Sequence, residues 1–158
     1  MIKVLASGMF MLAGMVSLPT GISPTQTATQ TFPDYRNDPR LTALSTFFHK
    51  LECPAEKYAA AFLEAADNYA LDWRLLPSLS FVETTGGKSA RNNNFFGWDS
   101  GHAQFPSPAA AIHAVGYRLK YSSLYINKKL DNLLAVYNPN VEYGKKVKSV
   151  MRRISPTE

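Results

Sequence analysis

Apolar residues recur every three or four positions through most of this 158-residue chain, and no segment sustains the alternation that a half-buried strand requires. That pattern restricts the fold to helices packed on helices. Residues 41–51 place Leu44, Phe47, Phe48 and Leu51 on one side of a short helix. Pro54 opens the next, at a first-turn position where its missing N–H is not needed. Tyr58, Phe62, Ala65 and Tyr69 then share a face, and the alanines between them permit close packing. Asp72 is placed to cap a third segment over residues 73–83. Pro77 removes a hydrogen bond there, so this helix either kinks or starts near Leu76. Both options leave Glu83 at its C-terminal end. Ser107-Pro108 reads as an N-cap with a first-turn proline, and Ile112, Val115 and Leu119 continue as a stripe. Leu130, Leu133 and Leu134 mark a helix over residues 127–136, and Tyr143, Val147, Val150 and Ile154 mark a last one with a Lys/Arg-rich outer face. The expected fold class is all-α, mainly helical.

The first 40 residues do not share this pattern. Lys3 supplies one positive charge, and residues 4–18 are uncharged and mostly apolar. This is the layout of a secretory signal. As a helix the apolar run spans roughly 22 Å, short of a ~30 Å hydrocarbon core, and Gly8 and Gly14 interrupt it. Residues 1–23 are therefore expected to be a signal peptide or, if uncleaved, an N-terminal membrane anchor. Residues 24–40, rich in Thr, Pro, Gln, Ser and Asp, read as a flexible linker before a folded domain over 41–158. The expected location is outside the cytoplasm, in a periplasm or at the cell wall.

Cys53 is the only cysteine, which excludes an intramolecular disulfide and a cysteine-rich zinc site. Alone in an exported chain it reads as a buried thiol. His49, His102 and His113 are scattered and form no metal-ligand pair at helical spacing. No GxGxxG or GxxxxGK[ST] motif is present, so no cofactor is expected. The net charge of +5 predicts attraction to anionic surfaces. No aromatic-studded motif interleaves the basic residues, and a nucleic-acid partner is not expected. Without heptads, the domain is expected to be a monomer.

Chemistry is concentrated in two places. The first is Glu83-Thr84-Thr85-Gly86-Gly87-Lys88-Ser89, followed by a polar loop, Arg91 to Asn94, that ends in Phe95, Phe96, Gly97 and Trp98. A glutamate ending an apolar segment is partly desolvated, which raises its pKa and suits a general acid near neutral pH. Asn93 and Asn94 offer donors and acceptors for sugar hydroxyl and acetamido groups, and Phe95, Phe96 and Trp98 offer flat faces for sugar rings. The same residues are also compatible with a local cap and ordinary turns. The second place is Tyr137-Asn138-Pro139-Asn140-Val141-Glu142-Tyr143, where Asn138-Pro139 breaks the chain between two helices. Tyr137 and Tyr143 either point their hydroxyls into a common cleft or are core tyrosines with a wet tip.

Together these motifs resemble bacterial glucosaminidase-type peptidoglycan hydrolases, glycoside hydrolase family 73 and relatives, which have a lysozyme-like fold. That family reads roughly E-S-x-x-G-x-S, then N-N-x-F/W-G, then Y-x-T-D-P-x-Y. Here the two tyrosines stand the same six positions apart. Leu71 to Pro77 resembles the family's approach helix, and Phe105-Pro106-Ser107 with Ala111-Ile112 resembles its F-x-S…A-I helix start. The likeness runs from about Pro54 to Ile154. It implies an exported enzyme that cleaves a β-1,4 glycosidic bond at N-acetylglucosamine in peptidoglycan glycan strands. Glu83 would be the general acid, with Tyr143 beside the reacting sugar. Tyr137, Asn93, Asn94, Phe96 and Trp98 would bind substrate.

The chain departs from the family at Thr84, which replaces Ser, and at Pro139 and Asn140, which replace the T-D pair and remove a carboxylate. Asp99 is the nearest candidate in sequence for a second carboxylate, and a substrate acetamido group is the alternative. A lytic transglycosylase would also work with one glutamate. A non-catalytic peptidoglycan-binding module and an envelope assembly protein are the readings outside enzymology.

Overall fold

The structure, a computed structural model, describes residues 33–156. The expected signal segment and most of the expected linker lie outside the described residues. The described chain forms six α-helices and two short 3-10 turns, with no strand among the described residues. The domain is all-α and mainly helical.

Helix α1 spans Pro39–Lys50 and buries Leu44, Phe47 and Phe48. Asp38 caps it by accepting the Arg40 N–H at 2.8 Å. The fold reaches further toward the N-terminus than the expected boundary at residue 41. Tyr35 is buried and its hydroxyl donates to Asp67 Oδ2 at 2.9 Å. Arg40 bridges Asp38 and Asp67 at 2.7 and 2.8 Å. Residues 35–40 thus belong to the domain despite their polar composition, because one aromatic ring and one Asp-Pro cap fasten them.

A 3-10 turn, Pro54–Tyr58, leads into α2, Ala59–Tyr69. Helix α3 spans Leu75–Thr84, which answers to the start near Leu76 rather than to a kinked helix from residue 73. Asp72 accepts the Arg74 N–H at 2.9 Å and turns the chain into it. Pro77 therefore falls in the first turn, where N–H groups have no partner inside the helix anyway. Every residue from 75 to 80 is buried, so the first half of α3 is hidden on all sides. Helices α2, α4 and α6 pack around it. The Ser78 and Ser80 hydroxyls are buried without a partner, at a cost of about 1–3 kcal/mol each. Burial of Leu75, Leu76 and Leu79, at about 1.5–3 kcal/mol each, offsets it.

Helix α4 spans Pro108–Tyr121, and Ser107 caps it by accepting the Ala110 N–H at 3.1 Å. Helix α5 spans Leu130–Tyr137 and α6 spans Val141–Ile154. Helix α6 buries Tyr143, Val147, Val150, Met151 and Ile154, while Lys145, Lys146, Arg152 and Arg153 face out. No helix among the described residues is long and apolar enough to cross a membrane. Cys53 is buried, as its composition-based reading expects, and burial pushes its thiol pKa up.

Helices α4 and α2 approach closely at Gly116. A Cβ on Gly116 would stand 2.5 Å from Cδ2 of Tyr69. In an open helix, Gly→Ala gains about 1 kcal/mol. Here Gly116→Ala should instead destabilise by about 1–3 kcal/mol through overpacking, measured as a lower urea midpoint at unchanged slope.

Candidate active site

Glu83 is the penultimate residue of α3 and is partly buried. Its place follows from the apolar run before it, which drives α3 into the core and carries the carboxylate to the edge of that core. Two effects disfavour its charge. Burial pushes the carboxyl above its ordinary range. The C-terminal end of a helix also carries partial negative charge. One contact acts the other way: the Tyr143 hydroxyl donates to Glu83 Oε1 at 2.7 Å. Oε2 takes no hydrogen bond from any described residue, and it faces Gly97, whose Cβ would lie 3.4 Å away.

Tyr143 is buried in the first turn of α6, and Tyr137 ends α5. The elbow between them is built from two asparagine turns. Asn138 Oδ1 accepts the Asn140 N–H at 3.0 Å, and Asn140 Oδ1 accepts the Glu142 N–H at 2.9 Å. This elbow stacks the two rings with centroids 5.9 Å apart and planes 14° from parallel. The two tyrosines are thus both core residues and members of one cluster with Glu83. Burial raises both phenol pKa values, and Glu83 raises them further, so both phenols keep their protons. Trp98 extends the cluster: its indole N–H donates to the Tyr137 hydroxyl at 3.1 Å. Tyr125, from the loop after α4, packs on the far side of Tyr137 with centroids 6.5 Å apart.

The turn after Glu83 is tied to the helix by Thr84. Its buried hydroxyl donates to the Phe95 carbonyl at 2.8 Å and accepts the Gly87 N–H at 3.0 Å. Gly86 follows with φ of +61°, and a Cβ there would sit 2.8 Å from Cys53 Cβ. Only glycine suits both the left-handed backbone and that close approach.

Two residues expected to bind substrate have other work. Asn94 is 1% exposed, and its amide is spent on Trp98: Nδ2 donates to the Trp98 carbonyl at 2.8 Å and Oδ1 accepts the Trp98 N–H at 3.0 Å. Phe96 is 1% exposed and belongs to the core. Phe96 lines no groove among the described residues, while Asn94 borders a polar concavity with its amide already engaged by Trp98. Asn93 is exposed in a left-handed conformation, with Nδ2 donating to the Phe105 carbonyl at 2.8 Å. Trp98 remains at the surface of the cluster, although one indole face is covered by the Arg118 guanidinium, 5.0 Å from the ring centroid.

Two concavities of about 470 Å³ each border residues 97–103. One is lined by Trp98, Asp99, Ala103, Arg118 and Tyr125. The other is lined mainly by polar groups, among them Arg91, Asn92, His102 and Gln104. A larger groove of about 740 Å³ lies between α1 and the end of α6, but no carboxylate lines it. Asp99 is exposed and makes no side-chain hydrogen bond or ion pair with a described residue. No group of three His, Cys, Asp or Glu side chains among the described residues could hold a metal. Arg118 and Tyr125 were not singled out by the sequence, and Thr84 was noted there without a structural role. Arg118 and Tyr125 lack any motif, and Thr84 is legible only as a substitution within one.

No protein-family model matches the chain, and no curated protein matches it.

Two outcomes follow from this geometry. Asn94→Ala leaves the N–H of Trp98 unpaired, while its carbonyl keeps the Gly101 and Ala103 N–H groups. It should cost about 1–3 kcal/mol in chemical denaturation and change the near-ultraviolet dichroism of the indole. Glu83→Gln should stabilise the fold at neutral pH. The folded protein holds the Glu83 proton more tightly than the unfolded chain. Its contribution is therefore complete below the unfolded value, near 4.3, and is lost as pH rises through the folded value. The stability gap between Glu83→Gln and the wild type should open as pH rises and close in acid.

Proposed function

We propose that this protein is an exported peptidoglycan hydrolase with a lysozyme-like domain, cleaving a β-1,4 bond at N-acetylglucosamine with Glu83 as general acid. The observation that carries the reading is the 2.7 Å hydrogen bond from Tyr143 to Glu83. It joins the two motifs on which the family resemblance rests, across 60 residues of chain. Glu83 has the properties that an acid catalyst needs. Its pKa is raised by burial, one oxygen is held by Tyr143, and the other is unengaged. In the proposed step Oε2 gives its proton to the glycosidic oxygen as the C1–O bond breaks. The resulting carboxylate keeps the Tyr143 hydrogen bond. Water completes the reaction at C1, and its proton returns the site to its starting state.

The departures from the family pattern preserve local structure. Thr84 uses its hydroxyl to tie the turn, a task a serine hydroxyl also performs. Asn140 caps α6, a task an aspartate also performs. The carboxylate missing at position 140 is therefore missing from a helix cap. Charge developing at C1 is left to Asp99, beside Trp98, or to the substrate's own acetamido group. The net charge of +5 supports encounter with an anionic polymer.

Purified peptidoglycan digested with the protein should yield new reducing ends at N-acetylglucosamine, read by mass spectrometry. Anhydromuramyl ends would instead mean internal attack and a lytic transglycosylase. No fragments from a folded protein would leave a binding module. Glu83→Gln should lower the rate by about 10²–10⁴. Tyr143→Phe removes the contact that holds the Glu83 pKa down, so the alkaline limb of its pH–rate profile should move to higher pH. An unmoved limb would separate Tyr143 from the acid.

A further inference from the structure

We infer that Arg118 is a carboxylate-binding residue of the substrate groove, selecting glycan whose muramyl residues carry a lactyl or stem-peptide carboxylate over glycan without one. The inference rests on the peptidoglycan reading and adds to it the part of the polymer that is recognised. Arg36, Arg40 and Arg74 are each paired with an aspartate at 2.6–2.8 Å. Arg118 has no such partner among the described residues, and neither do Arg91, Arg152 and Arg153; what sets Arg118 apart is its seat over Trp98 in a cavity that Asp99 also lines. It projects from α4 over Trp98, 5.0 Å from the ring centroid. Stacking fixes the guanidinium plane and leaves its edge N–H groups free for a bidentate acceptor.

The platform beneath it is rigid. The Trp98 backbone is clasped by Asn94 on both its N–H and its carbonyl, and its indole N–H is bonded to Tyr137. Little side-chain freedom is then lost when an anion binds, which favours affinity. The cavity is tied to the acid by a relay of contacts. Glu83 is bonded to Tyr143, Tyr143 stacks on Tyr137, Tyr137 accepts from Trp98, and Trp98 lies under Arg118. Trp98 and Arg118 both line the space of about 470 Å³, so a glycan running past Glu83 would bring its substituents to it. Asp99 on the same wall accepts hydroxyl or amide N–H groups. That combination suits an amide-bearing carboxylate better than a bare multivalent anion. N-acetylglucosamine polymers without lactyl groups offer Arg118 nothing.

The test is co-sedimentation of the full chain with intact peptidoglycan sacculi and with sacculi whose carboxyls have been amidated, run beside the digest. Soluble peptide-free glycan strands serve as competitor. The wild type should prefer intact over amidated sacculi by about tenfold or more. Arg118→Gln should erase most of that preference, and Arg118→Lys should fall between. Arg152→Gln, the same charge change in the last turn of α6, should keep it. Melting temperature and near-ultraviolet dichroism check that Trp98 stays seated. The lactyl carboxyl is free only in peptide-free strands and is an amide where a stem is attached, so competition by those strands that is weakened in Arg118→Gln would assign the lactyl carboxylate, and competition unchanged in Arg118→Gln would assign the stem peptide. A wild-type preference retained by Arg118→Gln, or lost equally in Arg152→Gln, would overturn the assignment. If the wild type releases no fragments yet shows the Arg118-dependent preference, hydrolysis fails and carboxylate recognition stands. If fragments are released and no preference exists, only Arg118 falls.

Discussion

A partly buried carboxyl group at the end of a helix whose first half is hidden on all sides needs a hydrogen-bond donor, and Glu83 finds one in Tyr143. That contact fixes more than its two residues. It requires the first turn of α6 to lie against the last turn of α3, and α6 packs along α3 from there. It also requires the α5–α6 elbow, because Tyr137 can stack on Tyr143 only if the chain reverses within a few residues. Asn138 and Asn140 make the reversal by taking backbone N–H groups into their own side chains. Tyr137 then gives Trp98 a place to dock. The loop, the elbow and the buried helix are held in one arrangement by polar contacts that begin at a single carboxylate.

The segment from Thr84 to Trp98 is better understood as a device for placing Trp98 and Gly97 than as a binding strip. Thr84 fastens its start, Asn94 its end, and Phe95 and Phe96 anchor its middle in the core. Positive φ values at Asn92, Asn93 and Gly97 let so short a stretch turn back over Glu83. Asparagine and glycine are well suited there for conformational reasons alone. A motif of this kind is a signature of loop geometry first, and its chemistry comes from what the loop delivers.

This explains what the sequence could and could not disclose. The helices were legible because their stripes face one core and their caps are local, as at Ser107 and Pro108. Glu83 was legible because an apolar run ending in a carboxylate is rare without a reason. The Tyr137–Tyr143 pair was legible as spacing, while the choice between core and cleft was not, since the rings serve both. The burial of Asn94 and Phe96 was not legible because an amide or ring has the same composition whether it faces a ligand or the protein. The linker boundary misled because Tyr35 is a lone aromatic in a polar stretch, and its partner Asp67 is 32 residues away. Arg118 was invisible because its environment is assembled from α4, the residue-98 loop and Tyr125.

In the proposed function, the placement of that arginine bears on how an acid and a cation can serve one site. A guanidinium beside Glu83 would stabilise the carboxylate and pull its pKa down by one to three units, which would end its use as an acid near neutrality. The groups acting on Glu83 are burial and Tyr143, with no cation among them. Arg118 stands instead behind the indole of Trp98, at the other end of the aromatic row. The row therefore separates two electrostatic requirements as well as two places. At one end burial disfavours a charge on Glu83. At the other a guanidinium without an ion-pair partner among the described residues faces a cavity that Asp99 also lines. An apolar and weakly polar spacer of Trp98, Tyr137 and Tyr143 is a physical means of meeting both within one small helical domain.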